Sequence, residues 1–369
     1  MAAGTRQSNF ELLRVLAMLA IVAGHLFTQG RVTAHAPPSA WLPCLLLGNG
    51  ARVAVNLFAL LGCWFLAAPR DPAAPPPRRT PGERWLGLWA QTLCWSAPLT
   101  LLAAAIRGGL PARELARGFL PVLGRPLWFA SAWLLLLLLA PALRAALDAA
   151  PRACAAAAAG LLAALCVPAT LGDLCGDFFA DVLWFVALFL LAGLARRAPG
   201  PAVRVPKGAA LALGLAVYAA LAGTEWAVLL RDGPSAHPPA AYRLAARFLA
   251  DFKSLPNLVC AASLFAFFAR LDPRPRPWID ALARPAFGVY VAHQVPAFHP
   301  ILWTQVVRCP DWYRSPLAPL WGLLAAVAVY AAAALLDEAR RALVEPALVR
   351  SRPFRALAAR LDRILAAPR

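Results

Sequence analysis

Three ionisable residues share one apolar stretch near the start of the chain. Residues 10–27 read FELLRVLAMLAIVAGHLF and carry Glu11, Arg14 and His25. At about 100° per residue, the eleven-residue step from Arg14 to His25 is three helical turns plus roughly 20°. Glu11 lies about 60° from Arg14 and about 40° from His25 on the same wheel. All three therefore fall on one stripe of a helix whose other positions are Leu, Val, Ala, Met and Ile. A rise of about 1.5 Å per residue separates Arg14 from His25 by about 16 Å. An imidazole can take a proton from a hydroxyl near neutral pH, and it can also act as a nucleophile. An arginine suits a phosphate, and Glu11 is placed to pair with Arg14 at i, i+3.

The stretch is about as long as a bilayer crossing requires. Ionisable groups inside a membrane are expensive, normally face a protein interior or a water-filled cavity, and mark functional sites. The other reading of the same residues is an ion pair at a helix end and an interfacial histidine. No small-residue cleavage site follows the stretch, so it is expected to remain as a span.

Composition sets the frame for this helix. Of 369 residues, 61% are hydrophobic and only 15% charged, whereas a soluble domain is nearer half apolar and a quarter charged. The chain reads as all-α, a polytopic integral membrane protein. The net charge of +18 does not point to nucleic acid. Its Arg residues are dispersed through short loops between apolar runs, which is the bias of membrane topology, not a continuous basic face. The eight Cys show no CxxC and no metal spacing. Most lie in apolar runs, where Cys acts as a small hydrophobe. Cys44, Cys175 and Cys309 are the three placed where a disulfide on the outer side is conceivable, with no pairing fixed by sequence.

Apolar runs predict about ten spans, roughly 10–27, 53–68, 85–106, 127–147, 153–171, 178–195, 209–230, 255–271, 286–303 and 316–336. Ten spans put both termini on one side. The larger share of the 36 Lys and Arg then falls on the side of the termini, which reads as cytoplasmic. One outer segment dissents, since Arg107, Arg113, Arg117 and Arg125 crowd into it. The division is residues 1–340 as the membrane domain and 341–369 as a basic cytoplasmic tail. That tail reads as an amphipathic helix lying on anionic lipid. Asp173, Asp177 and Asp181 read as caps at a helix start.

An Arg, ten residues and a His, on a first span opening NFELLR, resembles the acyltransferase 3 family of bacterial membrane proteins that O-acylate sugars. AVNLFALLGCWFL (54–66) resembles that family's second span, with Leu61-Gly62-Cys63 where the family has Ser-Gly. LWFASAWLLLLLLAP (127–141), KSLPNLVCAASLFAFF (253–268), FGVYVAHQ (287–294) and LLDEARRAL (335–343) resemble later family elements in the same order. The resemblance covers most of the chain and is closest to the surface-polysaccharide acetylases.

It implies transfer of an acyl group, commonly acetyl from acetyl-CoA, to a sugar hydroxyl, with no metal. His25 is then the candidate base, and Arg14 either contacts a coenzyme A phosphate near the cytoplasmic entry or orders the site. Asn56, Trp128, Tyr290 and His293 are candidate substrate-binding residues. His293, three residues after Tyr290, either positions the acceptor, bonds to the His25 region, or is a packing histidine. Trp128 either stacks on a sugar or belongs to an interfacial aromatic belt. Arg70, Arg78, Arg79 and Arg84 either meet coenzyme A phosphates or express topological bias. His35 and His299 read as outer-surface residues and His237 as loop. The partners implied are acyl-CoA, a glycan or lipid-linked sugar, and the lipids of the bacterial inner membrane. The rival class is a proton-coupled transporter or flippase using Glu11, Arg14 and His25 as a relay.

Overall fold

The computed structural model describes residues 7–69, 73, 79–123, 127–171, 178–197, 205–232 and 251–365. Among them every regular element is helical. Arg70, Arg78, Arg125, Asp173, Cys175, Asp177 and His237 lie outside the described residues.

The helices are α1 (Ser8–Gln29), α2 (Val32–His35), α3 (Trp41–Leu66), α4 (Pro81–Arg107), α5 (Ala112–Phe119), α6 (Trp128–Ala149) and α7 (Pro151–Leu171). They continue as α8 (Phe178–Arg197), α9 (Lys207–Asp232), α10 (Leu255–Phe268), α11 (Pro277–Ala283) and α12 (Ala286–Gln294). The last are α13 (His299–Ile301), α14 (Cys309–Trp312), α15 (Ala318–Leu343), α16 (Glu345–Arg350) and α17 (Arg352–Leu365). Seven of them (α1, α3, α4, α6, α8, α9 and α15) are long and apolar enough to cross a membrane. Two more of the ten expected spans are shorter apolar helices, at Pro151–Cys166 and Leu255–Phe268.

The ninth expected span is not one helix. α12 is only nine residues long, and the chain turns at residues 295–298 before α13 and a π-helical turn, Leu302–Val306. Pro296 has no N–H to continue the ladder. The backbone folds back locally, with the N–H groups of Phe298 and His299 both donating to the Val295 carbonyl, at 3.0 and 2.8 Å. Broken helices at membrane depth are tolerated where protein or a cavity covers them. The second span also differs from expectation, because it starts at Trp41 instead of near 53. Pro43 falls in the first turn of α3, where a missing N–H costs nothing.

α1 is packed by α3, α11, α12 and α15, so the polar stripe is turned into protein. Its closest approach is to α3, where Ala51 Cβ and the Gly48 carbonyl press on Gly24 and leave no room for a side chain. Small residues let membrane helices pack this closely. The start of α1 is tied down by polar bonds. Ser8 Oγ donates to Asp280 Oδ1 (2.8 Å) and accepts from the Arg276 N–H (2.6 Å). Asn9 Nδ2 donates to the Phe268 carbonyl (2.9 Å). α4 opens with a capping box: Glu83 N–H donates to Thr80 Oγ1, and Thr80 N–H donates to Glu83 Oε2.

Candidate functional site

The two histidines of the apolar helices meet. His25 Nδ1 stands 2.9 Å from His293 Nε2, joining the C-terminal half of α1 to the end of α12. His293 is buried, and its Nδ1 lies 2.6 Å from the Val289 carbonyl one turn back. A carbonyl only accepts, so His293 Nδ1 carries the proton. In neutral His293 the Nε2 lone pair is then the acceptor, and His25 Nδ1–H is the donor to it. Neutral His25 is left with an unprotonated Nε2. Two hydrogen bonds thus select one tautomer of His25.

A polar layer sits one turn further along. Gln29, four residues after His25, exchanges amide contacts with Gln294 at 3.2 Å in both directions. Trp303 Nε1 also donates to Gln29 Oε1 (3.0 Å), and its ring stands edge-on to His293 at 6.3 Å. His299, read from the sequence as an outer-surface residue, is half-buried and lies within electrostatic reach of both His25 and His293. None of Gln29, Gln294, Trp303 or His299 was singled out for this site from sequence. Gln29 had a usable signal, as a polar residue at i+4 from His25 on the same stripe.

An aromatic wall flanks the pair. Tyr290 stands edge-on to His293 (6.3 Å) and tilted on Phe129 (5.5 Å), and its phenol meets the backbone at Phe129 and Ala130. Trp128 stacks on Phe252 at 5.1 Å, so in this structure its face is met by protein. Asn56 is fully buried with both ends of its amide engaged. Its Nδ2 donates to the Phe252 carbonyl (2.6 Å), and its Oδ1 accepts from Trp184 Nε1 (2.8 Å). Asn56 therefore anchors the segment that carries Phe252.

Beside it lies a buried ion cluster the sequence did not reveal. Lys253 Nζ pairs with Asp181 (2.9 Å) and Asp251 (3.3 Å). Asp181 lies in the first turn of α8, as its reading at a helix start implied, and is also an ion-pair partner.

Glu11 and Arg14 form their ion pair, as the i, i+3 spacing predicts, at the opposite end of α1. The stripe between Arg14 and His25 is filled by Met18, Ile21 and Val22, all buried. The structure therefore makes two stations of the three sequence-picked residues, about 16 Å apart along the helix. Cys44 and Cys309 are buried free thiols. Among the described residues, no three His, Cys, Asp or Glu side chains are grouped to hold a metal ion.

The geometry defines a membrane-embedded protein with a hydrogen-bonded histidine pair at the junction of a spanning helix and a broken one. The acyltransferase 3 family model, described as an acyltransferase domain, matches residues 7–338, nearly the whole chain. The chain belongs to that family and is a membrane acyltransferase. No curated protein and no solved structure matched it.

Proposed function

We propose that the chain moves an acyl group, acetyl in the first instance, from a cytoplasmic acyl-CoA thioester to a hydroxyl of a cell-surface glycan or its lipid-linked precursor. The observation that carries this reading is the bonding chain Val289 carbonyl–His293–His25, which leaves His25 Nε2 as a lone pair. A hydroxyl is a poor nucleophile near pH 7, and a positioned base removes that obstacle.

His25 Nε2 takes the hydroxyl proton as the oxygen attacks the thioester carbonyl. The carbon–oxygen bond forms, the carbon–sulfur bond breaks, and the proton on Nε2 passes to the departing thiolate. The products are the O-acyl ester and free coenzyme A. His293 stays bonded to His25 Nδ1–H throughout and stabilises the transient imidazolium. Arg14, held by Glu11, serves the donor's phosphates from the other end of α1. Asn56, Trp128 and Tyr290 shape the acceptor side.

The excess of Arg on one side supports an inner-membrane protein with cytoplasmic termini. It also supports a division into a membrane domain, 1–340, and a basic tail, 341–369. The relay reading is weaker, because a proton path from Arg14 to His25 would have to cross the apolar stretch of Met18, Ile21 and Val22.

The test is the O-acetyl content of the host's surface glycan, measured by NMR in cells lacking the gene. Wild type is expected to restore the esters, and a normally expressed His25→Ala is not. Restoration by both removes His25 as the base. Restoration by neither removes the glycan as the acceptor.

A further inference from the structure

Most buried polar atoms around the histidine pair have partners. His293 is bonded at both ring nitrogens, and Gln29, Gln294 and Trp303 bond to one another. His299 is different: its Nδ1 is buried and has no hydrogen-bond partner. Buried polar atoms are nearly always bonded, and one that is not calls for a reason.

Its position supplies one. His299 follows the break at Pro296, and its own N–H is spent on the Val295 carbonyl (2.8 Å). That turn sets His299 beyond the end of α12, within electrostatic reach of His25, His293 and Arg107. Ala297 and Ile301 pack on Ala103 of α4, which fixes the corner. On the orientation proposed above, this is the outer end of the site, the side from which a surface glycan arrives.

We propose that His299 is a specificity-determining residue that hydrogen-bonds the acceptor, through a hydroxyl next to the one His25 deprotonates. The inference rests on the acyl-transfer reading and extends it to acceptor choice. Sugars carry neighbouring hydroxyls, so one histidine works as the base while the other holds the adjacent oxygen and fixes which hydroxyl is acylated. The unpartnered Nδ1 is then satisfied only when the acceptor is bound.

The experiment uses the purified full-length chain in lipid vesicles, with acetyl-CoA as donor. The acceptor is the host's own surface polysaccharide, stripped of esters with mild alkali. His299→Phe keeps the ring's bulk, and His299→Asn keeps a polar group. Losing one neutral hydrogen bond is expected to raise the acceptor KM of His299→Phe about 3- to 10-fold. His299→Asn is expected to recover part of this, and the KM for acetyl-CoA should not move. The position of the ester, read by NMR, is expected to scatter over neighbouring hydroxyls in His299→Phe.

An unchanged acceptor KM and ester position in His299→Phe overturn the proposal. An equal fall in every parameter for both variants also overturns it, as the mark of a purely structural role. If wild type forms no ester, the acyl-transfer reading fails first, and this is seen before any variant is assayed.

Discussion

His293 donates through Nδ1 to the Val289 carbonyl and accepts through Nε2 from His25 Nδ1, at 2.6 and 2.9 Å. The two residues are 268 positions apart in sequence, and one nitrogen of His25 is chosen by a carbonyl on another helix. On the acyl-transfer reading proposed above, His25 handles the proton and His293 positions it. Loss of a general base is expected to cost about 10²- to 10⁴-fold in kcat, so His25→Ala should fall in that range. His293→Leu removes the acceptor and frees the wrong tautomer, with an expected loss of about 10- to 100-fold. His293→Gln keeps an acceptor oxygen and should retain more activity than His293→Leu. Steady-state kinetics on vesicle-reconstituted protein decide this, and equal rates for His293→Gln, His293→Leu and wild type would remove the positioning role.

Glu11 is buried, while the Arg14 side chain is 26% exposed. The pair therefore has an inner carboxylate and an outer cation available to a ligand. Arg14→Ala strands the carboxylate, and the expected cost is about 1–3 kcal/mol of stability. Coenzyme A is expected to raise the melting temperature of the wild type, because bound ligand stabilises the state that binds it, and Arg14→Ala should abolish that rise. The double variant Glu11→Gln/Arg14→Ala is expected to recover the stability but not the response to coenzyme A. Thermal unfolding with and without coenzyme A separates the two effects, and a normal response in Arg14→Ala would place the donor elsewhere.

Asp337 has no exposed surface, yet it is a carboxylate. It accepts from Trp95 Nε1 (2.9 Å), from Arg340 Nε (2.8 Å) and from Gln91. Gly288, five residues before His293, lies directly against the Asp337 side chain, with no space for a Cβ. The helix that carries Tyr290 and His293 is thus seated on a buried charge. Asp337→Ala leaves the Arg340 guanidinium without this partner, at an expected cost of about 3–5 kcal/mol. Gly288→Ala should cost about 1–3 kcal/mol through overpacking. Gly288→Ala should also depress kcat, since it displaces α12. A variant as stable and as active as wild type would show that α12 does not depend on this seat.

Much of this was legible in the sequence because membrane helices are written in local terms. Long apolar runs located seven helices long enough to cross a membrane, and the eleven-residue step put Arg14 and His25 on one stripe without reference to any other helix. Spacing along one helix also gave the Glu11–Arg14 pair. Bonding between His293 and the His25 region was among the readings open for FGVYVAHQ. Partners from other helices were not legible. Asp181 gave no sign that Lys253 would neutralise it, and Asp337 sat in a run that resembled a helix exit. Trp128 and Asn56 were picked as polar or aromatic residues near motifs, but Phe252 and Trp184, which engage them, come from distant segments. The break after Gln294 was hidden because Pro296 lies inside an apolar run that reads as continuous.

The C-terminal helix shows the same limit from the other side. Its basic, amphipathic pattern predicts a surface helix on anionic lipid. In the structure, Phe354 and Ala358 of α17 are buried against Leu86 of α4, and Asp362 Oδ1 accepts from the Gly82 N–H at the α4 N-terminus (2.8 Å). Part of the apolar face is therefore spent on protein, while Leu357 and Ile364 stay exposed, and the carboxylate sits where a helix N-terminus favours negative charge. Arg79 and Glu345 add an ion pair between the same regions. Phe354→Ala is expected to destabilise by about 1.5–3 kcal/mol, the value of burying one large apolar side chain. Asp362→Asn should cost about 0.3–1 kcal/mol, through loss of the charge at the helix start. Neither residue lies near the histidine pair, so the KM values for donor and acceptor should be unchanged in both. Melting temperature and kinetics on the same preparations test this. A Phe354→Ala protein with wild-type stability but weaker binding to anionic vesicles would return the tail to the lipid surface.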